Sequence, residues 1–537
     1  MVSLLIRGLQ IYSGERFFSV VNLDSSLDYI DPLNIKIILL VFRFLPPIFA
    51  ANVLAIFALI INLIVTFIYF KKLVNNKIPA ILFSGTFSFS IFFFYRVMSF
   101  TSSLYYLFIF PLIFYLLIKK NHALIMVLVV FCSFYLSSYF AFFSLLIVTV
   151  WYLSEFIQKE CTFKKYLKKS VTFSFGVAIM ATFFMSSVIL KSHPVFENTK
   201  IAKESFENMN QALSYRSIED WYNYSSRPWY FLIPPKNSIF FHNLSRATYG
   251  NLNKSGFYLA NSYNEDEMGG SFLGWHILLG LCIVALILIK KENTKNLINL
   301  NRALLVKMYL LIVFLTVFSL PPSVKISGIQ IYTPSYLFFL FVPMFRTISR
   351  LSVPIFLSAL TINYFLFCVF LSSLKHAISK TVLVLGFVCV NLLMFSVTLP
   401  IIDVNNPPEE IKFLKEASAS QYTYAVYPSG NYYSMFWILY HKKSLLNPVG
   451  YTNNDMAFDS EEFTKKVVTS EGLTKLKSMN IKYLVVYMSR INTSNLDEIH
   501  EINPSIVNKE NLYDYFTSGL SRPVFANHDV LIYKIDK

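Results

Sequence analysis

Long apolar stretches recur through the first 401 residues and are separated by mostly short polar connections. A hydrocarbon core about 30 Å thick needs roughly 20 apolar residues in a helix to cross it. The pattern therefore predicts ten membrane-spanning helices, although 123–156 could instead form one long helix kinked at Ser137 and Ser138. The predicted spans are 48–70, 78–95, 103–118, 123–136, 139–156, 171–190, 271–289, 304–320, 351–373 and 381–401.

Basic residues are distributed unevenly between the connections. The loops after the first, third, fifth, seventh and ninth spans carry 17 lysines and arginines, whereas the intervening short loops carry four. Those four are Arg96, Lys325, Arg346 and Arg350. Because cytoplasmic loops are enriched in Lys and Arg, the first set is predicted to be cytoplasmic. The long loop 191–270 and the tail 402–537 are then extracytoplasmic.

Ten spans with an outer C-terminus also place the N-terminus outside. Residues 1–34 contain no apolar run long enough for a signal peptide or a span. We therefore expect that an upstream helix is missing from this chain, so that 1–34 is only part of the first outer loop. The alternative is that residues 1–20 form an interfacial amphipathic helix.

The composition agrees with a membrane protein. Hydrophobic residues make up 55% of the 537 and charged residues 15%, whereas soluble domains average about 25% charged residues. The formal net charge of +16 does not indicate a nucleic-acid partner, because most basic residues lie in the short loops. Membrane lipid is the predicted partner. The five cysteines form no motif for a disulfide framework or a metal site.

Two outer segments are too long to be simple connections. Loop 191–270 is rich in aromatic residues and is predicted to form a packed cap over the membrane. The tail 402–537 predicts a small α/β domain, with strands at 422–427, 481–487 and 530–535. Its predicted helices lie near 407–417, 432–440, 460–478 and 509–517. No phosphate-binding glycine loop occurs in it, so a lid or docking module is favoured over a second active site.

Four short elements, in this order along the chain, resemble the glycosyltransferase C superfamily of polytopic membrane proteins. They are Asp31-Pro32 before an amphipathic stretch with Arg43, the aromatic-leucine-proline run 230–235, the glycine-rich entry 269–274, and the proline-aromatic-arginine turn 343–350. The tail strands 481–487 and 530–535 also look like those of bacterial members with an outer C-terminal domain. The likeness covers most of the chain through short, degenerate elements.

The resemblance implies a glycosyltransferase fold in 1–401 and inverting transfer of a sugar on the outer membrane face. The donor would be a polyprenyl-phosphate-linked sugar, and the acceptor a glycan or lipid of the cell envelope, as in polysaccharide biosynthesis. Such a site needs a carboxylate that deprotonates the acceptor hydroxyl and cations that hold the leaving phosphate. Whether a divalent metal takes part is open, because no metal motif is present.

In that superfamily the catalytic acid lies in the first outer loop, which makes Asp31, Asp28 and Asp24 the candidates. Asp24 and Asp28 would share one face of a helix. The competing interpretation is a solvated loop in which Asp31 begins a turn before Pro32. If the family position lies upstream of Met1, the chain lacks its catalytic base and is inactive.

Arg346 and Arg350 are the candidate phosphate ligands, because i, i+4 spacing on a helix would bring both guanidinium groups to one phosphate. Their alternative role is to anchor the helix to lipid headgroups. Arg43 and Arg96 fall on the same predicted side. Glu267, in the acidic run before the span at 271, is a further candidate for orienting an acceptor.

Three other functions compete with this hypothesis. A transporter or flippase of lipid-linked saccharides predicts internal repeats, broken helices and paired intramembrane charges near the midplane, and the sequence shows neither a repeat nor an acid deep within any predicted span. A polysaccharide polymerase shares the spans and the large outer loop but does not need the 136-residue tail. A truncated N-terminus would favour a non-catalytic scaffold.

The asymmetry of the basic loops predicts the orientation of the chain. A reporter that is active only outside the cell should be active when fused after residue 405 and silent when fused near residue 165. A cytoplasmic reporter should give the opposite result at the same two positions. A cytoplasmic signal at residue 405 would reverse the topology and exclude an outer active site.

Overall fold

The structure is a computed structural model, and its described residues fall into two compact units. One is formed mainly by 54–400, and the other combines 35–53 with 401–537. The described residues are 32–99, 101–119, 123–191, 218–254, 269–290, 301–326, 329–341, 345, 347–398, 403, 405–417, 422–428, 432–447, 466–478, 481–491 and 493–535.

The larger unit is a bundle of apolar helices with short connections. A two-stranded antiparallel hairpin, β1 (Ser323–Ile326) and β2 (Ile329–Tyr332), follows α12. Residues 35–53, which form most of α1 and the start of α2, are assigned to the other unit. The helices up to residue 398 are α1 (Pro32–Phe42), α2 (Pro47–Leu73), α3 (Lys77–Ser88), α4 (Ile91–Met98), α5 (Ile109–Ile118), α6 (Ala123–Leu136), α7 (Ser138–Ile157), α8 (Phe163–Lys191), α9 (Ile218–Asn223), α10 (His242–Lys254), α11 (Trp275–Lys290), α12 (Arg302–Ser319), α13 (Pro334–Phe341), α14 (Ser352–Ser373) and α15 (Ala377–Phe395).

Within the described residues, six helical stretches are long and apolar enough to cross a membrane. They are Phe49–Leu73, Lys77–Met98, Ser138–Ile157, Arg302–Ser319, Ile348–Ser373 and Ala377–Phe395. Ser102–Ile118, Ile125–Leu136 and Trp275–Lys290 are shorter apolar helices, and the predicted span 171–190 falls within α8. These helices are consistent with a helical membrane protein. The number of ten spans stays a prediction.

Two stretches of the bundle are divided into shorter helices, 123–156 as predicted and 78–95 against the prediction of one continuous span. The stretch 123–156 forms two helices that pack against each other, because α6 ends at Leu136 and the Ser137 side chain accepts a hydrogen bond from Phe140 N at the start of α7. The stretch 78–95 is interrupted between α3 and α4. There the Ser90 hydroxyl accepts a hydrogen bond from Phe93 N and caps the new helix.

The centre of the bundle is α14, whose residues are buried on nearly every side. Its polar groups are bonded internally, as lipid-embedded helices require. Thr361 bonds to the hydroxyl of Tyr69 at 2.8 Å, and Asn363 donates to the carbonyls of Ile277 and Ala359. The bond to Tyr69 joins α14 to α2, and the bond to Ile277 joins it to α11. The central helix therefore holds its neighbours by hydrogen bonds as well as by packing.

One segment, residues 218–241, contacts the ends of several bundle helices and is called the docking segment below. Backbone hydrogen bonds join it to the end of α12, the turn before α14, the connection before α11 and the residues after α15. These bonds are Ser226 N to Ser319 O (2.8 Å), Ser349 N to Tyr224 O (3.1 Å), Leu273 N to Phe231 O (3.2 Å) and Thr398 N to Asn237 O (3.0 Å). The four helix ends therefore lie at one end of the bundle.

Buried hydroxyl groups are concentrated at that same end, which is called the hydroxyl-rich end. The buried serines and threonines there include Ser99, Thr101, Ser102, Ser103, Ser137, Ser225, Ser226, Ser238, Ser271, Ser319, Ser323, Thr347 and Ser349. Short polar side chains let the backbones of helices and loops approach each other closely. They also leave this end far more polar than the middle of the bundle.

The opposite end, called the basic end, carries ion pairs between helix termini. Lys169 Nζ lies 2.5 Å from Glu155 Oε2, and Lys307 Nζ lies 2.7 Å from Glu160 Oε2. These pairs join the end of α7 and the following turn to the starts of α8 and α12. A cavity of about 290 Å³ lies there, lined by Trp151, both glutamates and Lys307 among others.

The tail domain is a five-stranded mixed sheet in the order β4-β3-β5-β7-β6. Its first three strands in that order are parallel and β7 is antiparallel to both neighbours. The strands are β3 (Thr423–Tyr427), β4 (Ser444–Leu445), β5 (Tyr483–Tyr487), β6 (Phe525–Ala526) and β7 (Val530–Lys534). The helices are α16 (Glu409–Glu416), α17 (Tyr432–His441), α18 (Ser470–Ser478), α19 (Thr493–Ile502) and α20 (Lys509–Leu520).

The tail agrees with the α/β domain predicted from its sequence. Each of the three predicted strands is present, and the central one, β5, is buried along its whole length. Three short elements are absent from the prediction: α19, β4 and β6. The two missed strands contain only two residues each, too few for an alternating pattern to identify them.

The close packing of α11 on α14 gives a test of the bundle. A Cβ atom built on Gly280 would lie 1.8 Å from Asn363 Oδ1, so Gly280→Ala should displace an amide that holds two carbonyls. We expect a loss of about 1–3 kcal/mol in stability, seen as a lower thermal midpoint of the detergent-solubilised protein by intrinsic fluorescence.

Gly386→Ala in α15 is the matched control, because no atom lies within 4 Å of its added Cβ. It should leave the midpoint unchanged or raise it, since Ala favours a helix over Gly. Combining Gly280→Ala with Asn363→Ala should cost less than the sum of the two single changes. Equal midpoints for the two glycine variants would contradict the proposed packing.

Candidate functional site

Among the described residues, three arginines are buried at the hydroxyl-rich end of the bundle. Arg96, Arg227 and Arg350 expose 0%, 1% and 2% of their surface. Charged residues at membrane depth are costly and commonly mark functional sites or paths. Their concentration at one end, where hydroxyl groups also collect, defines the candidate site of the bundle.

Arg350 lies in a 3₁₀ turn, Ile348–Leu351, directly before the central helix. Its guanidinium carbon is 4.5 Å from the centre of the Tyr139 ring, within the range of a cation–π interaction. The Ser349 N–H next to it binds the docking segment at Tyr224 O. The arginine is therefore placed by three parts of the fold: α7, the docking segment and the start of α14.

The structure corrects the reason for grouping Arg350 with Arg346. Thr347, between them, has φ −88° and ψ 65°, which is not a helical conformation. A regular α-helix therefore does not run through Thr347. Arg346 itself lies outside the described residues, and its part in the site stays a prediction.

Arg96 lies in the last turn of α4. A cation at that position is favoured by the negative end of the helix dipole, and its guanidinium carbon is 5.0 Å from the centre of the Phe92 ring. The interruption at Ser90 starts a new eight-residue helix and so sets the position of this arginine. Of the arginines predicted to line the site, Arg96 and Arg350 are both buried at the hydroxyl-rich end.

Arg227 belongs to the same group and was missed in the sequence. Its Nη1 donates to the carbonyl of Ser225 at 2.6 Å, and its guanidinium carbon is 6.0 Å from the centre of the Tyr230 ring. The available signal was an arginine between a serine pair and an aromatic run. The sequence predicts a packed cap from this loop and assigns no role to the arginine.

The predicted catalytic acids Asp24, Asp28 and Asp31 lie outside the described residues, as does Glu267. The first described residues of α1 nevertheless contact the hydroxyl-rich end. Asn34 donates from Nδ2 to the Ser102 hydroxyl at 3.0 Å and accepts a hydrogen bond from the Tyr106 hydroxyl at 3.0 Å.

Two further acids on the docking segment were missed. Glu219 and Asp220 lie on the short helix α9, which ends just before Tyr224, the residue whose carbonyl binds Ser349 N. Within the described part of the bundle, the only other acids are Glu155 and Glu160, which are held in ion pairs at the basic end. Glu219 and Asp220 therefore join the first-loop aspartates as candidates for the base.

Two other residues are Arg43, a predicted site residue, and His276. Arg43 is exposed, in the turn after α1. His276 packs against aromatic rings, and its ring centre lies 6.1 Å from that of Phe387 and 5.8 Å from that of Phe395. In the described parts of the chain, no group of three His, Cys, Asp or Glu residues is placed to hold a metal ion.

Comparison with known protein families and with characterised proteins finds no match to this chain. The structural observations therefore carry the functional argument alone.

Proposed function

We propose that the chain is a membrane glycosyltransferase of the glycosyltransferase C type, which transfers a sugar from a polyprenyl-phosphate-linked donor to a cell-envelope acceptor. The observation that carries the proposal is the set of three buried arginines at the hydroxyl-rich end. In the proposed orientation this end and the tail domain face the outside of the membrane.

The arginines match the leaving group of this reaction. A polyprenyl phosphate is an anion fixed to the membrane by its lipid chain, so its site belongs at a membrane surface. Guanidinium groups bind phosphate oxygens through parallel hydrogen bonds and remain charged at all relevant pH values. Arg96, Arg227 and Arg350 therefore stabilise the negative charge that grows on the phosphate as the glycosidic bond breaks.

The other half of the reaction needs a base. The acceptor oxygen attacks the anomeric carbon, the bond from that carbon to the phosphate oxygen breaks, and the hydroxyl proton passes to a carboxylate. Asp28 and Asp31 remain the first candidates, with Asp24 one helical turn earlier, and the contact of Asn34 with Ser102 supports them. Asp220 on the docking segment is the alternative within the described residues.

A lipid-linked saccharide transporter is the second candidate, because the stretch Lys77–Met98 is broken between α3 and α4. Transporters often place substrate sites at discontinuous helices. The two functions differ in chemistry, since a transporter moves the lipid-linked sugar without cleaving the bond to phosphate. A polysaccharide polymerase would also cleave that bond, but it would extend a lipid-linked glycan.

The arginine site is tested with purified protein in proteoliposomes that contain polyprenyl-phosphate donors carrying radiolabelled hexoses or pentoses. Arg350→Gln, Arg227→Gln and Arg96→Gln should each lower the rate of label release from the donor by about 100-fold or more, the usual effect of losing one charge-stabilising donor. Arg346→Gln tests whether the neighbouring arginine contributes.

Arg246→Gln is the matched control, because Arg246 is exposed on α10, directly after the docking segment. It should keep the wild-type rate. Each variant is first shown to be inserted and monodisperse. Full activity in all three buried-arginine variants would reduce these residues to structural anchors, and movement of intact donor without bond cleavage would support the transporter.

The base is identified in the same assay by conservative amide substitutions. We expect Asp28→Asn or Asp31→Asn to abolish transfer at every pH while donor binding is retained, because a base acts on the acceptor rather than on the phosphate. If only Asp220→Asn abolishes transfer, the base belongs to the docking segment. Unchanged rates in all of these variants, and in Asp24→Asn and Glu219→Gln, would exclude the acids named here.

A further inference from the structure

The tail sheet has a feature that the proposed reaction does not use. After β3 the polypeptide forms β4 on one side of β3, and it later forms β5 on the other side of β3. All three strands are parallel. The carboxyl ends of β3 and β5 therefore flank a topological switch point. In open α/β sheets, ligands bind in the crevice outside the carboxyl ends of strands at such a point.

Charged and aromatic side chains converge on this edge from five parts of the domain. Tyr487 ends β5, and Arg490 follows it in a 3₁₀ turn. Tyr433 lies in the first turn of α17, which follows β3. Glu410 is in the first turn of α16, and Asp529 precedes the antiparallel strand β7 and accepts a backbone hydrogen bond from Ser489 N at 3.4 Å.

Arg490 is held in place but its hydrogen-bonding capacity is not filled. Its guanidinium carbon lies 3.7 Å from the centre of the Tyr487 ring and 5.6 Å from that of Tyr433. Its Nη1 is buried and makes no hydrogen bond to any atom that the structure describes. A buried donor of a charged group without an acceptor is destabilising, so this geometry is better explained by a ligand than by folding.

Glu410 supplies the complementary acceptor. It exposes only 6% of its surface and is an electrostatic neighbour of Arg490 without forming a direct ion pair with it. Burial raises the pKa of Glu410, while the nearby Arg490 lowers it and Asp529 and Glu409 raise it. A carboxyl group and a guanidinium group thus lie near each other at the edge of the domain, beside two tyrosine rings.

We infer that this edge of the tail domain binds a saccharide, with neighbouring hydroxyl groups donating to Glu410 and accepting from Arg490. A sugar fits because each hydroxyl both donates and accepts, and because Tyr433 offers an aromatic surface for the sugar ring. An anion fits less well, since Glu410 and Asp529 lie beside the single arginine. The half-buried positions of Tyr433 and Arg490 leave the edge accessible.

This site is separate from the arginines of the bundle, and its test needs no turnover. The full-length protein in detergent is titrated with water-soluble trisaccharides of glucose, galactose and N-acetylglucosamine, and binding is followed by saturation-transfer NMR. We expect at least one trisaccharide to bind. Glu410→Gln and Arg490→Gln should each raise its Kd by about tenfold or more.

The controls are chosen within the same domain. Glu416→Gln removes an exposed acid from the same helix, α16, and Arg522→Gln removes an exposed arginine; both should bind like the wild type. The absence of binding by every trisaccharide, equal weakening by the control variants, or displacement by inorganic phosphate at low concentration would each overturn the inference.

A second measurement uses the wild-type chain, in case the Glu410 or Arg490 variant does not fold. Phenylglyoxal modifies accessible arginines, and peptide mass spectrometry reports each site separately. The bound trisaccharide should protect Arg490 and leave Arg522 unprotected. Equal modification of Arg490 with and without a saturating trisaccharide would overturn the assignment.

Discussion

The constraint on which the bundle depends is the cost of placing charge in hydrocarbon. In the described part of 54–398, every charged residue lies in a connection or within about two turns of a helix end. The middle of the bundle is held by aromatic packing and by polar groups that bond inside the protein, such as Asn363 on α14. Charge is therefore confined to the two ends of the bundle, and any chemistry that needs charge must take place there.

The two ends meet this constraint differently. At the basic end, two lysine–glutamate pairs form direct ion pairs, and one partner of each pair, Glu155 or Lys307, is buried. The charges within each pair neutralise each other. At the hydroxyl-rich end, Arg96, Arg227 and Arg350 lie beside aromatic rings and among many serines and threonines. An end that concentrates buried arginines among small polar side chains suits an anionic substrate, whereas the ion pairs at the basic end tie helices to one another.

Local sequence was sufficient for the helices and for the main strands of the tail, because both depend on patterns within about 20 consecutive residues. The two-helix form of 123–156 and the strand Tyr483–Tyr487 are examples. The candidate site was only partly predictable. Arg350 and Arg96 were identified from their position in short outer loops, but the non-helical Thr347 between Arg346 and Arg350 was not foreseen. Arg227 was missed because the position of the docking segment depends on hydrogen bonds to Ser319 and Ser349, which are more than 90 positions away.

The docking segment also has a consequence for biogenesis. Residues 218–241 are synthesised before α11, α12, α14 and α15, yet they bind Leu273, Ser319, Ser349 and Thr398. The segment can occupy its final position only after the last of these partners has left the ribosome. The end of the bundle that carries the arginines is therefore completed late in synthesis, after the helices beneath it have been inserted. A chain interrupted before residue 398 would retain most of its apolar helices and still lack a fully closed site.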